Sequence, residues 1–112
     1  MKYRDLRVGG LIRNELGKMI LKEFEFPGVL LTVTDVVVDK KLEGARVEVS
    51  ILPAEKADET MRVLQENQGR LQHLLLKKIN IKPMPRIRFI IDHGPENAAR
   101  VERIFLENKD SD

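Results

Sequence analysis

Apolar positions recur at two different spacings along this 112-residue chain, and the changes of spacing mark its elements. From Arg4 to Phe24 they come in threes and fours. At 100° per residue Val8, Ile12, Leu16, Met19 and Ile20 share one arc, the stripe of an amphipathic helix. Arg4, Arg7, Lys18 and Lys22 share another arc about 60° wide. Pro27-Gly28 ends this element. Residues 29 to 38, VLLTVTDVVV, are β-branched and predict a strand. The turn-rich DKKLEG leads into ARVEVSI, residues 45 to 51, which alternates: Ala45, Val47, Val49 and Ile51 inward, Arg46, Glu48 and Ser50 outward. Two such runs with a short connection predict an antiparallel hairpin, closed by Pro53.

Helical spacing returns from Glu55. Glu55, Asp58 and Glu59 occupy the first turn, where acids favour the helix dipole, and Ala57, Met61 and Leu64 form the buried stripe. The pattern then meets Asn67-Gln68-Gly69. Glycine costs roughly 1 kcal/mol against alanine within a helix, and asparagine is also unfavourable. Two short helices with a kink are therefore expected, the second from about Arg70 to Lys78. It would bury Leu71, Leu74 and Leu75 and carry Arg70, His73 and Lys77 on a separate stripe. Pro83 and Pro85 stop it. Residues 86 to 92, RIRFIID, predict a third strand with Ile87, Phe89 and Ile91 on one face, Arg86 and Arg88 on the other. Beyond Gly94, Pro95 suits a helix start, and Ala98, Val101, Ile104 and Phe105 follow at helical spacing before the polar tail NKDSD.

These elements imply an α+β fold of order α-β-β-α-kink-α-β, with a three-stranded mixed sheet and its helices packed on one face. Residues 1 to 93 form the domain, and 94 to 112 an amphipathic helix and tail.

Composition narrows the function. No run approaches the roughly 20 apolar residues of a membrane span, and the N-terminus lacks a secretion signal's apolar core. Cysteine is absent, which excludes disulfides, zinc-thiolate sites and cysteine nucleophiles. A cytoplasmic protein is expected. The net charge of +2 hides an uneven distribution: residues 1 to 22 hold six Lys/Arg against two acids, and 70 to 93 six against one. Between them residues 23 to 69 hold five against ten. If folding unites the two basic segments, they present a surface that attracts phosphate backbones.

Catalytic chemistry has little footing. His73 and His93 lie far apart with no metal-binding spacing, and no phosphate-binding glycine motif occurs. Asp35 stands in an apolar strand without a sequence partner, which suits a local hydrogen bond better than catalysis. The reading is of a protein that is not an enzyme, with no metal and no cofactor.

A strand-strand-helix-helix-strand unit with a glycine-bearing turn between its helices resembles a KH domain, in which a Gly-x-x-Gly loop holds single-stranded nucleic acid. Here Asn67-Gln68-Gly69 stands in that loop. Taken whole, the chain resembles the bacterial ribosome-binding factor A family. The resemblance rests on Val33-Thr34-Asp35-Val36, on Leu42 with Ala45-Arg46-Val47-Glu48-Val49-Ser50, and on Gly69 followed by Leu71. Pro85-Arg86-Ile87-Arg88-Phe89-Ile90-Ile91-Asp92, the basic first helix and Ala99-Arg100-Val101-Glu102 extend it.

The resemblance implies a type II KH-like fold whose loop is a kink, commonly Ala-x-Gly, with Asn67 at the alanine position. A polar side chain there caps the following helix or contacts RNA. It implies a monomeric assembly factor for the immature small (30S) ribosomal subunit, acting in late maturation, in 5′-end processing of 16S rRNA and in cold adaptation. An assembly GTPase aids release in some lineages. Family members have no enzymatic activity and need no cofactor. The RNA-binding residues expected here are Asn67, Gln68, Gly69, Arg70, His73, Lys77, Lys78, Lys82, Arg86 and Arg88, joined by Arg4, Arg7, Lys18 and Lys22 if the first helix packs nearby. With aromatics at 4%, phosphate and shape recognition suit the chain better than base stacking. The alternative is a KH-like RNA-binding or protein-docking module acting on a non-ribosomal partner.

Overall fold

The structure is a computed structural model, and it describes residues 4 to 92 and Gly94. The expected terminal helix and tail, and His93, lie outside the described residues. Six main elements follow in order: α1 (Arg4–Glu23), β1 (Leu30–Val38), β2 (Gly44–Leu52), α2 (Ala57–Glu66), α3 (Gln68–Lys78) and β3 (Arg86–Ile91). A single 3₁₀ turn, Ala54–Lys56, precedes α2.

The sheet order is β1-β2-β3. β1 and β2 run antiparallel, while β3 lies parallel to β2 after the crossover through α2 and α3. The sheet is mixed and the element order is that of a type II KH-like fold. Alternation decides which face is covered. Ala45, Val47, Val49 and Ile51 of β2, and Ile87 and Phe89 of β3, are buried with Val36 and Val38 of β1. They meet Val8, Ile12, Leu16, Met61, Leu64, Leu71 and Leu75 from the helices in one core. A fully buried side chain of this kind is worth roughly 1.5–3 kcal/mol.

The hairpin is irregular at one point. Its register shifts between Val33 and Asp35, and Asp35 uses its carboxylate locally, accepting a hydrogen bond from Val36 N at 2.8 Å. Thr34 donates to Glu48 O across the strands. Ser50, expected outward and exposed, is instead buried at 7% exposure. The β1–β2 turn is tied by Asp39, whose carboxylate accepts from Glu43 N and Gly44 N at 2.9 Å each. These backbone donors, Glu43 first, hold the Asp39 carboxyl below its ordinary value of 3.8. Helix α1 crosses the sheet close to β1: a Cβ on Gly9 would stand 2.8 Å from Val36 O, so only glycine permits this approach.

Candidate nucleic-acid interface

The interruption between the paired helices is shorter than the sequence pattern predicts. Helix α3 begins at Gln68, so Gln68 and Gly69 are helical and the break is the single residue Asn67. Asn67 closes α2 twice over. Its backbone N–H donates to Val63 O at 3.1 Å, and its side-chain Nδ2 donates to the same oxygen at 2.8 Å. Its own carbonyl then accepts from Leu71 N, the first turn of α3. Thus the Asn67 side chain caps the preceding helix, not the following one, at whose N-terminus it makes no side-chain bond. Because the amide group folds back on α2, it is half-buried.

Helix α3 divides the candidate residues between its two flanks. Leu71 and Leu75 face the core. One flank faces α1, which runs antiparallel to it. At one end of this contact Arg70 of α3 pairs with Glu23 of α1; at the other, Lys77 and Lys78 line a groove with Lys18 and Lys22. That groove, of about 270 Å³, also carries Glu15, Met19, Glu23 and Leu74. Folding therefore unites the two basic segments that lie 55 residues apart between Lys22 and Lys77. Arg70 is the exception within this group. Its charge is committed to Glu23, whose carboxylate also sits at the favourable N-terminal end of the α3 dipole.

The other flank of α3 meets β3 through Gln72. Its amide acts like a neighbouring strand's peptide: Gln72 Nε2 donates to Pro85 O at 2.9 Å, and Ile87 N donates to Gln72 Oε1 at 2.8 Å. This clamp fixes α3 against the edge of the sheet. Beside it lies a second groove, about 520 Å³, lined by Gln68, Arg86 and Arg88 together with Val37, Asp39, Glu43 and Arg46. Arg46 was not among the expected residues. Its sequence neighbourhood is acidic, but the register sets it directly beside Arg88 on the uncovered face of the sheet. Arg46 has an ion pair with Glu48 at 3.6 Å, whereas Arg86 and Arg88 have none among the described residues.

The structure thus brings together Lys18, Lys22, Lys77 and Lys78 as one set, and Gln68, Arg86 and Arg88 as another. It does not form the single footprint that the stripes suggest. His73 and Gly69 are exposed on the solvent side of α3, between the two sets. Arg7 is exposed about 16 Å along α1 from Lys18, at 1.5 Å per residue. Arg4 opens α1, and Lys82, exposed in the connection to β3, lines neither of these grooves. A roomier groove, about 750 Å³ between α1 and β1, is mostly apolar and contains only Lys18 of the candidates. Cavity size and charge point to different places, and for a phosphate-bearing partner charge is the relevant quantity. Among the described residues no group of three acids or histidines is placed to hold a metal, and no helix is long and apolar enough to cross a membrane.

Comparison with known proteins gives one answer at three levels. The family model of ribosome-binding factor A matches residues 4 to 105. Ribosome-binding factor A of Opitutus terrae is 35% identical over 108 residues, covering 96% of this chain and 88% of the relative. That of Caldanaerobacter subterraneus is 34% identical over 110 residues, covering 96% and 90%. Among solved structures, the crystal structure of ribosome-binding factor A from Thermus thermophilus shares the fold with a TM-score of 0.69 at 24% identity, covering 80% of this chain and 97% of that one. A Thermus thermophilus ribosome-binding factor A model fitted into the cryo-EM map of a 30S complex aligns with a TM-score of 0.56 at 25% identity, covering 73% and 92%.

Proposed function

This chain belongs to the ribosome-binding factor A family, and from that premise we propose that it binds the immature small (30S) ribosomal subunit and supports its late maturation. Members are ribosome-binding factors, not enzymes. The finer role proposed for this chain comprises 5′-end processing of 16S rRNA, a contribution to growth in the cold, and release aided by an assembly GTPase. It acts as a cytoplasmic monomer, with residues 1 to 93 as the binding domain and 94 to 112 as an appended amphipathic helix and tail. The observation that carries the reading is the convergence of Lys18 and Lys22 with Lys77 and Lys78 across two antiparallel helices. Four lysines against Glu15 and Glu23 leave the groove with a positive excess, which a phosphate backbone neutralises while releasing its counterions.

The test is a sucrose-gradient profile of cell extract. The protein travels with free small subunits and is absent from intact ribosomes. Equal occupancy of both, or a position at the top of the gradient in low salt, rejects the reading. Treatment of the bound fraction with ribonuclease separates RNA binding from protein docking: release supports the former.

A further inference from the structure

The two sets of cations differ in chemistry as well as in place. Lys18, Lys22, Lys77 and Lys78 project from the helical layer. Arg46 and Arg88 alternate with the buried Val47, Ile87 and Phe89, so they project from the opposite side of the sheet, with Arg86 one pleat away. The sheet and its packed core lie between the two faces, with Gln68 of α3 at the rim of the arginine groove. One straight RNA segment therefore does not lie along both faces.

Within the protein the arginine set is unfavourable. Arg46 and Arg88 are direct cross-strand partners, and like charges in that position destabilise a sheet. Glu48 relieves only Arg46, at 3.6 Å. Of the two acids in the groove, Asp39 is already committed to the Glu43 and Gly44 amides, and Glu43 forms no ion pair with the arginines among the described residues. Guanidinium groups are suited to planar, two-pronged contact with phosphate and to stacking on unpaired bases, and the Gln68 amide beside them adds a donor and an acceptor. Lysines act as point charges and tolerate any backbone geometry.

Building on the small-subunit reading above, we propose that the protein joins two separate segments of ribosomal RNA, one held by the lysine groove between α1 and α3, the other by Arg46, Arg86 and Arg88 on the uncovered sheet face. Arg46 is a contact residue of the second segment. The molecule then acts as a clip that fixes the spacing of two RNA segments while the particle matures.

Because the chain contains no cysteine, one introduced cysteine gives a unique tether for a hydroxyl-radical source. Leu11→Cys places it on the lysine side and Val37→Cys on the arginine side; both positions are exposed, at 50% and 41%. With each labelled full-length protein bound to small subunits, the two sources cut different, non-overlapping stretches of rRNA. Overlapping cuts mean one strand wraps the edge of the domain, which overturns the clip. Charge reversal gives a second reading. Lys22→Glu with Lys77→Glu, and Arg46→Glu with Arg88→Glu, each weaken binding on the order of tenfold, and the effects multiply when combined, as independent contacts do. A combined loss no greater than either alone, or a loss from one pair only, also overturns it. If neither source cuts rRNA and neither pair matters, the small-subunit reading itself falls.

Discussion

Gly69 stands in the first turn of α3, exposed, outside the left-handed region, with no atom within 4 Å of where a Cβ would be. Neither backbone conformation nor packing within the chain requires a glycine here. Gly69→Ala should therefore raise stability by roughly 0.5–1 kcal/mol, from helix propensity and a less flexible unfolded chain. If RNA backbone approaches closely at this point, the same change weakens small-subunit binding. We expect both: a higher melting temperature together with reduced co-sedimentation. Higher stability with undiminished binding would remove Gly69 from the contact surface. Asn67 is different, since its side chain already has a partner. The Val63 carbonyl it bonds keeps the Asn67 backbone N–H, so a small side chain at this position leaves no acceptor orphaned. Alanine, the residue the family resemblance suggests for this place, would lose this one hydrogen bond without leaving the Val63 carbonyl unpaired.

At the scale of elements, the Gln72 clamp sets where the arginine face stands relative to α3. Ile87 N is half of a β-edge contact satisfied only by Gln72 Oε1. Gln72→Ala leaves this donor and the Pro85 carbonyl without partners in a partly buried place, at a cost of about 1–3 kcal/mol. Thermal or urea unfolding should show that loss, and an unchanged midpoint would mean that water replaces the amide. Nothing in the sequence announced the clamp, because a glutamine on a helix has no distinctive spacing. The strands were legible for the opposite reason. Alternation such as Ala45, Val47, Val49, Ile51 is imposed by the pleat and survives any register. The kink was legible in existence but not in extent. Packing of Leu71 and Leu75 outweighs the roughly 1 kcal/mol that Gly69 costs, so the helix starts two residues earlier than propensity predicts. Counting charge along the chain places Arg46 in the acidic middle, whereas strand pairing places it beside Arg88.

For the whole molecule, the distribution of charge fixes how binding must respond to salt. The lysine groove supplies phosphate contacts whose counterion release makes log affinity fall linearly with log salt, by about 0.7–0.9 per contact. Neutralising two of its members, Lys22→Gln with Lys77→Gln, should lower the measured slope by roughly 1.4 to 1.8 in a filtration or sedimentation titration with small subunits. Arg70→Gln is the internal control. Its charge is paired with Glu23 before any RNA arrives, so it releases little counterion and its loss should change the slope by well under one. The pair is half exposed and worth at most about 1 kcal/mol to the fold, so the control remains native. A slope that drops as much for Arg70→Gln as for either lysine would mean that the Glu23 pair opens on binding. A slope unaffected by the lysines would mean that the groove between α1 and α3 faces solvent on the particle.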